Sequence, residues 1–482
     1  MKKTLMKKTI RFPFLILVPI WLVLSAGAFA AGNPLDSIPP DSTGMSVLHS
    51  REFSINFGRG WNLGNSLEAI GGETAWGNPA VTQDLIDSVK AAGFNAIRIP
   101  VAWSRFSDES TYTIDPAWLE RVEEVVNFAL RDSMYVILNE HWDGGWLQPT
   151  YENQALGNER LAAIWHQVAL HFRDYDDHLV FAGTNEVMVE GDYGTPKEEY
   201  YTVQNGYNQV FVNAVRATGG RNIFRYLAVQ GFNTNIDHTI SFFDMPGDVR
   251  EGRLMVEVHY YDPYNFTLNA NSSLYVWGAD APGSESWANE SWADGQFKKM
   301  KDRFVDKGFG VILGEYAAIS RNTLGPELNA SHARYRRYWT AYITRSILEH
   351  GLVPFYWDHG YTGDHSMGLF DRHSGLRVYP EIIEVIMDTS LVESPGSQVG
   401  TGSRPETIPE LWPNPAGDTI ILEVSMQGAE HLVIYDSLGR LVRTEMVVYG
   451  RNALDISGLS PGLYYLFLVS PEGGTALKLF KG

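Results

Sequence analysis

Residues 179–187 read Leu-Val-Phe-Ala-Gly-Thr-Asn-Glu-Val. An apolar run too short for a helix passes through Gly183 and Thr184 into Asn185 and Glu186, so a buried strand is expected to end on an amide beside a carboxylate. Glutamate is seldom buried without a partner. One explanation is a strand-end residue bonding a helix N-terminus or an arginine; the other is a general acid. A second stretch of the same kind, Phe309 to Tyr316 (FGVILGEY), carries Glu315 at its end. Two apolar strands, each closing on a glutamate, imply two carboxylates facing one site.

The strands to either side extend the pattern. Apolar runs occur at Ile55–Leu63, Phe94–Pro100, Met134–Asn139, Leu179–Thr184, Phe224–Val229, Leu254–His259, Phe309–Gly314 and Leu352–Trp357. They are short and mostly unalternating, as strands buried on both faces are. Stretches with apolar residues at helical spacing lie between them: Val81–Ala92, Pro116–Arg131, Glu159–Tyr175, Glu198–Thr218, Asp294–Lys307 and Ala333–His350. The expected fold is α/β, a (β/α)8 TIM barrel. A doubly wound open sheet is the alternative, but it would be expected to carry a glycine-rich phosphate loop after an early strand, and none is present.

In such a barrel the loops after the strands form the mouth, so polar residues at strand ends should converge. Strand two brings Arg98 and strand three runs into Asn139 and His141. Strand four brings Asn185 and Glu186, and strand six carries His259 and Tyr261. Strand seven contributes Glu315 and strand eight Trp357. His259 and Tyr261 are two apart and face the same side of an extended chain. Taken singly, each has a structural reading as an ion pair, a satisfied core histidine or barrel packing. Together they describe a site.

The chain holds no cysteine, which removes disulfides, thiolate metal sites and thiol nucleophiles. No H-E-x-x-H, strand-one H-x-H or acidic calcium loop is present, although Asp262 and His365 are available as ligands; neither a metal nor any other cofactor is expected. Two carboxylates in an aromatic-rich barrel point to glycoside hydrolysis. Arg98 and Tyr261 are expected to keep Glu315 ionised, and that charge to keep Glu186 protonated as the acid. Asn185 suits a sugar 2-hydroxyl and Trp357 a floor for the ring. The carboxyl groups are expected about 5 to 5.5 Å apart, the retaining geometry.

The ends of the chain concern export. Lys2, Lys3, Lys7, Lys8 and Arg11 precede an apolar run from Phe12 to Leu24 and an Ala28-Phe29-Ala30 site, so residues 1–30 read as a secretory signal rather than a retained anchor. Removing those five charges takes the formal net charge from −19 to −24, which disfavours nucleic acid and anionic lipid. Residues 31–44 read as a flexible leader, 45–393 as the barrel and 394–405 (SPGSQVGTGSRP) as a linker. Residues 406–482 alternate apolar and polar between turn residues, as a small antiparallel β-sandwich does.

The stretches RGWNLGNSLEA (59–69), ETAWGNP (73–79), KAAGFNAIRIPVAW (90–103), Asn185-Glu186, HYYDPYNF (259–266) and LGEYA (313–317) are similar to glycoside hydrolase family 5, in particular its subfamily 4 of endo-β-glucanases, xyloglucanases and lichenases. The resemblance implies a retaining double displacement with Glu186 as acid/base and Glu315 as nucleophile. It carries Arg98, His141, Asn185, His259, Tyr261 and Trp357 into the active centre. Trp142 stands where relatives often have His, and Glu68 where Asp is common, both bearing on substrate choice. Trp61, Trp76, Trp146 and Trp277 are candidate stacking platforms or core. A β-mannanase or xylanase on the same scaffold is the alternative activity, and a non-catalytic surface glycan-binding protein the alternative class. The C-terminal segment, with its PNP start, YDSLGR turn, LSPGLY motif and KLFKG end, resembles a type A sorting domain of the type IX secretion system rather than a carbohydrate-binding module. That implies the secretion machinery as partner, β-glucan as substrate, and a secreted or cell-surface protein with no membrane span in its mature form.

Overall fold

The computed structural model describes residues 38–391 except Trp142, residues 394–395, and residues 410–482 except 425–430, 438–439, 448–449 and 471–472. The expected signal, much of the leader, most of the linker and Trp142 lie outside these residues. The chain forms two compact units, the first reaching Ser397 and the second starting at Gln398.

The first unit is a closed barrel of eight parallel strands in sequential order. These are β1 Gly60–Leu63, β2 Ala96–Ile99, β3 Tyr135–Asn139, β4 Leu179–Ala182, β5 Leu227–Gln230, β6 Leu254–His259, β7 Gly310–Tyr316 and β8 Val353–Asp358. The helices are α1 Ser50–Ser54, α2 Gln83–Ala91, α3 Pro116–Arg131, α4 Tyr151–His171, α5 Glu198–Ala217, α6 Ile236–Phe242, α7 Tyr264–Thr267, α8 Glu290–Arg303, α9 Pro326–Glu349 and α10 Pro380–Met387. Their starts are chemically marked. The Thr82 hydroxyl accepts from the Leu85 amide, Asp115 accepts from Ala117 with Pro116 at the first helical position, and Asn289 accepts from Trp292.

Several expected bounds shift, α9 for one beginning at Pro326, seven residues before Ala333. Ile55–Phe57 is a 3-10 turn, so β1 begins only at Gly60; α4 begins at Tyr151, eight residues earlier than its periodicity indicated. Phe57 of the turn is needed elsewhere. With Phe53, Tyr226, Phe355 and the partly buried Tyr135 it closes one end of the barrel, the Phe53 and Tyr226 rings stacked at 3.8 Å.

Alternation along each strand decides what fills the barrel. Ala96, Ile137, Val180, Ala182, Ala228, Met255, Ile312, Val353 and Phe355 form one apolar cluster distinct from the larger core that packs strands against helices. Two residues further along, the same inward positions are Arg98, Asn139 and Glu257. The interior therefore passes from an apolar floor to a polar layer beneath the mouth. At Gly60 a Cβ would meet the Phe355 ring at 2.2 Å, so only glycine admits the neighbouring strand's side chain.

The second unit is two antiparallel sheets. One has the order β13-β10-β9, from β9 Glu410–Trp412, β10 Thr419–Val424 and β13 Gly450–Asp455. The other has the order β12-β11-β14-β15, from β11 His431–Asp436, β12 Leu441–Met446, β14 Gly462–Ser470 and β15 Gly473–Lys481. Ile420, Leu422, Leu432, Ile434, Leu466 and Leu468 share one core, as in a sandwich. Among the described residues no helix is long and apolar enough to cross a membrane.

Candidate active site

Strict alternation along β7 would send Ile312, Gly314 and Tyr316 inward. The pairing registers slip between Val258 and His259 against β6 and between Leu313 and Tyr316 against β8. Leu313 and Tyr316 both pack in the outer core, and Glu315 is aimed into the barrel mouth opposite His259. A bulge thus re-aims the carboxylate. Glu186 is held by a different device, a left-handed backbone with φ 47° just after β4. That conformation is costly for a side chain with a Cβ and is tolerated where the surroundings dictate it.

Around these two, the strand ends form one network. Arg98 Nη1 donates to Glu315 Oε1 at 3.0 Å and Nη2 to Asn185 Oδ1 at 2.6 Å. The Tyr261 hydroxyl donates to Glu315 Oε2 at 3.0 Å. His259 Nδ1 lies 2.7 Å from Glu186 Oε1 and 3.6 Å from Glu315 Oε2. One oxygen of each glutamate and the histidine nitrogen all lie within 4.8 Å of one another. The His141 ring lies parallel to the Trp357 ring at 5.8 Å, and its Nδ1 faces the Asn139 amide nitrogen at 3.1 Å. The strand-end residues named from the sequence are thereby gathered at one end of the barrel.

Electrostatics bear on the expected protonation of both glutamates. Burial opposes a positive His259, but Glu315, Glu186 and Glu257 outweigh it and push its pKa up to about 9. Desolvation opposes charge on Glu186, yet 39 % of that side chain is open to the cleft, and His259 with Arg98 holds it below the ordinary value. Burial, with the nearby Glu186, holds Glu315 above the ordinary value, and His259, Arg98 and Tyr261 offset this only in part, against the expectation that the last two keep it low. These directions favour the proton on His259 over Glu186. The reason is the contact that the sequence did not disclose, imidazole directly against Glu186. His141, desolvated and near Arg98 and His259, is held well below its usual range and is neutral. With Nδ1 taken up by the Asn139 amide, its Nε2–H is left as a donor.

Three buried groups at or beside this network were not foreseen. Asn62 on β1 donates to the Gly314 carbonyl at 2.8 Å and accepts from Arg98 at 3.0 Å. Glu257 on β6 lies 2.8 Å from Arg98 Nε and 3.4 Å from His259 Nε2. Asp358, at the end of β8, accepts from the Trp61 indole at 3.0 Å and pairs with Arg372 at 3.0 Å. The usable signal was alternation: Glu257 is two residues before His259 and must share its face.

Of the candidate platforms, Trp61 and Trp277 are core. Trp146 is partly buried and donates to Glu140 at 3.0 Å, lining a cavity of about 20 Å³ beside Asn185 and Glu186. Glu68 is a buried turn residue whose carboxylate accepts from the Asn65 and Ser66 amides, with burial raising its pKa to about 7. A larger cleft of about 530 Å³ opens beside Glu186, His259 and Tyr261, bounded by Tyr193, Asn233, Asp237, Tyr264 and Gln296. A cation among Glu186, His259 and Glu315 would meet the Arg98 guanidinium 3.0 Å from Glu315, so the donor set there suits hydrogen bonding better than a metal.

Comparison with known proteins agrees with this geometry. Residues 62–363 match the family model described as Cellulase (glycosyl hydrolase family 5), and residues 410–481 match the Secretion system C-terminal sorting domain. The chain is 44 % identical over 353 residues to the xyloglucan-specific endo-beta-1,4-glucanase of Bacteroides ovatus, covering 70 % of each chain. It is 37 % identical over 390 residues to Endoglucanase A of Paenibacillus barcinonensis, covering 76 % of this chain and 95 % of that one. Among solved structures, the Bacteroides ovatus xyloglucanase bound to a XXXG heptasaccharide superposes with a TM-score of 0.71 at 42 % identity, over 73 % of this chain and 79 % of that one. A subfamily 4 broad-specificity endoglucanase from Bacteroides salanitronis gives a TM-score of 0.67 at 38 % identity, over 71 % and 96 %. The sorting domain marks the protein for export to the cell surface or beyond. The chain belongs to glycoside hydrolase family 5, a glycosidase built on a TIM barrel with a secretion tail.

Proposed function

We propose that the protein is a retaining endo-β-1,4-glucanase of plant β-glucans, with xyloglucan among its substrates. The observation that carries the reading is the pair Glu186 and Glu315, with oxygens within 4.8 Å and opposite partners. That spacing is shorter than the roughly 6.5–9.5 Å an inverting enzyme needs to seat its water beside the sugar, and it suits direct attack by one carboxylate. Glu315 is the nucleophile: Arg98 and Tyr261 each hold one of its oxygens, orienting a lone pair toward the sugar. Its oxygen bonds to the anomeric carbon as the glycosidic C–O bond breaks, and the leaving oxygen takes a proton from Glu186. That proton reaches Glu186 from His259 along their 2.7 Å contact. In the second half, water attacks the same carbon, Glu186 accepts its proton and returns it to His259 along the same contact, and Glu315 leaves as carboxylate.

Supporting roles follow from position. Asn185, fixed by Arg98, faces the sugar 2-hydroxyl; Trp357 and the neutral His141 bound the ring. The cleft of about 530 Å³ lies on the Glu186 side, where the leaving portion of the chain emerges, and its volume has space for a branched backbone. Relatives named for xyloglucan and for broad specificity support the substrate class. Residues 45–393 would carry this chemistry, and 406–482 would serve as the address read by the type IX machinery.

The test is product analysis by mass spectrometry for the parent and Glu315→Gln on xyloglucan, barley β-glucan, cellulose, mannan and xylan. Cleavage of a β-glucan by the parent and silence of the variant is expected. Cleavage of mannan or xylan alone would move the assignment to those backbones, and binding without cleavage by both proteins would remove it.

A further inference from the structure

We propose that Glu257 is a positioning residue of this reaction, a third carboxylate beneath the reacting pair that holds His259 doubly protonated and Arg98 in register. The inference rests on the roles given above to Glu186 and Glu315.

Glu257 is fully buried on β6, with Oε1 2.8 Å from Arg98 Nε and 3.4 Å from His259 Nε2. A buried carboxylate is costly unless it is paired, and this one faces two cations, each of which also reaches a reacting glutamate. Arg98 spans from Glu257 at Nε to Glu315 at Nη1. His259 spans from Glu257 at Nε2 to Glu186 at Nδ1. An acceptor at each ring nitrogen requires both to carry hydrogen, which fixes the ring as imidazolium and leaves it one orientation. Without the carboxylate at Nε2 the ring could keep its Nδ1–H toward Glu186 while neutral, and the proton that Glu186 must deliver would be held less tightly.

Every charged or titratable group around His259 enters this balance. Glu186 comes from the loop after β4, Glu315 from β7, Arg98 from β2 and His141 from the end of β3. Tyr261 stands beyond β6 and is kept a neutral phenol by burial and the nearby carboxylates. Three carboxylates thus face two cations, and Glu257 is the carboxylate with no contact to the sugar in the proposed reaction. The fold also reserves its space. A Cβ on Gly314 would lie 2.1 Å from Glu257 Oε1, so a methyl there must displace the carboxylate.

The experiment compares pH profiles of kcat/KM for the full-length parent, Glu257→Gln and Gly314→Ala on xyloglucan, with melting curves for each and Glu315→Gln as control. The alkaline limb of kcat/KM reports loss of the proton shared by His259 and Glu186. For Glu257→Gln it is expected to fall by about one pH unit or more, with kcat down at least about tenfold and KM little changed. Gly314→Ala retains every charge and is expected to shift the limb in the same direction; it decides the matter if Glu257→Gln does not fold. A merely structural role would lower the melting temperature and leave the limb in place. An unshifted limb in either folded variant overturns the inference, provided Glu315→Gln is silent. If Glu315→Gln hydrolyses like the parent, the assignment of the reacting pair has failed instead.

Discussion

The Nδ1 of His259 lies 2.7 Å from Oε1 of Glu186, closer than to any other carboxylate in the site. This contact favours the acid's proton on the imidazole, and it makes the histidine's charge part of the fold's stability. The pKa of His259 is raised from 6.5 to about 9 by Glu315, Glu186 and Glu257 against the effect of burial. Because the folded value exceeds the unfolded one, the stabilisation is complete below about pH 6.5 and is lost as pH rises through about 9. Melting temperatures measured from pH 6 to 10 should fall across that window for the parent, by several degrees, and fall much less for His259→Gln. Parallel curves for the two would remove the coupling.

Loss of the acid should depend on what is leaving. Glu186→Gln leaves Glu315 and its partners untouched but removes the proton donor and the later base. With xyloglucan, kcat is expected to fall by about 10²- to 10⁴-fold. With an aryl glycoside whose phenolate leaves unaided, the first step should survive and the second should limit, giving a burst of phenolate that azide accelerates. Stopped-flow absorbance reads this directly; equal losses on both substrates would argue against the role.

The Trp357 ring is partly exposed and stacked parallel to His141 at 5.8 Å. Its replacement by alanine withdraws a flat surface without disturbing the carboxylates. We expect kcat/KM on β-glucan oligosaccharides to drop about tenfold, on the order of 1.4 kcal/mol, with the pH profile unchanged. An altered pH profile would place Trp357 in the proton network instead.

Asp358 follows Trp357 at the end of β8. It is fully buried, pairs with Arg372 at 3.0 Å and accepts from Trp61 and from the Leu369 amide. Asp358→Ala strands a buried guanidinium and an indole N–H, and should cost about 3–5 kcal/mol in urea denaturation. Asp358→Asn, which keeps an acceptor, should cost less. Equal costs would show that charge rather than hydrogen bonding matters there.

Much of this architecture was legible because strands buried on both faces cannot alternate and so stand out as short apolar runs. Their ends exposed Glu186, Glu315, Arg98 and His259 as candidates by position alone. Other features depend on three-dimensional packing. The run beginning at Ile55 looks like strand, but Phe57 is drawn into the barrel floor, where it packs against Phe355 and Tyr135 as a 3-10 turn. The first turns of α4, YENQALGN, carry little apolar periodicity, and α6 and α10 are too short to show it. The bulge that re-aims Glu315 has no sequence mark beyond Gly314 before it. Glu257 was visible as an acidic residue inside an apolar strand, yet its partners include Arg98 on β2. The protonation order of Glu186 and Glu315 could not be inferred without knowing that imidazole separates them.

The most direct test is to trap the reacting carboxylate. The parent is incubated with a 2-deoxy-2-fluoro cellobioside bearing an activated leaving group, and its proteolytic peptides are sequenced by mass spectrometry. A single sugar adduct on Glu315, absent from Glu315→Gln and formed with loss of activity, is the expected result. An active enzyme that gains no adduct, or one labelled at Glu186 or another residue, would contradict the assignment of Glu315 as nucleophile.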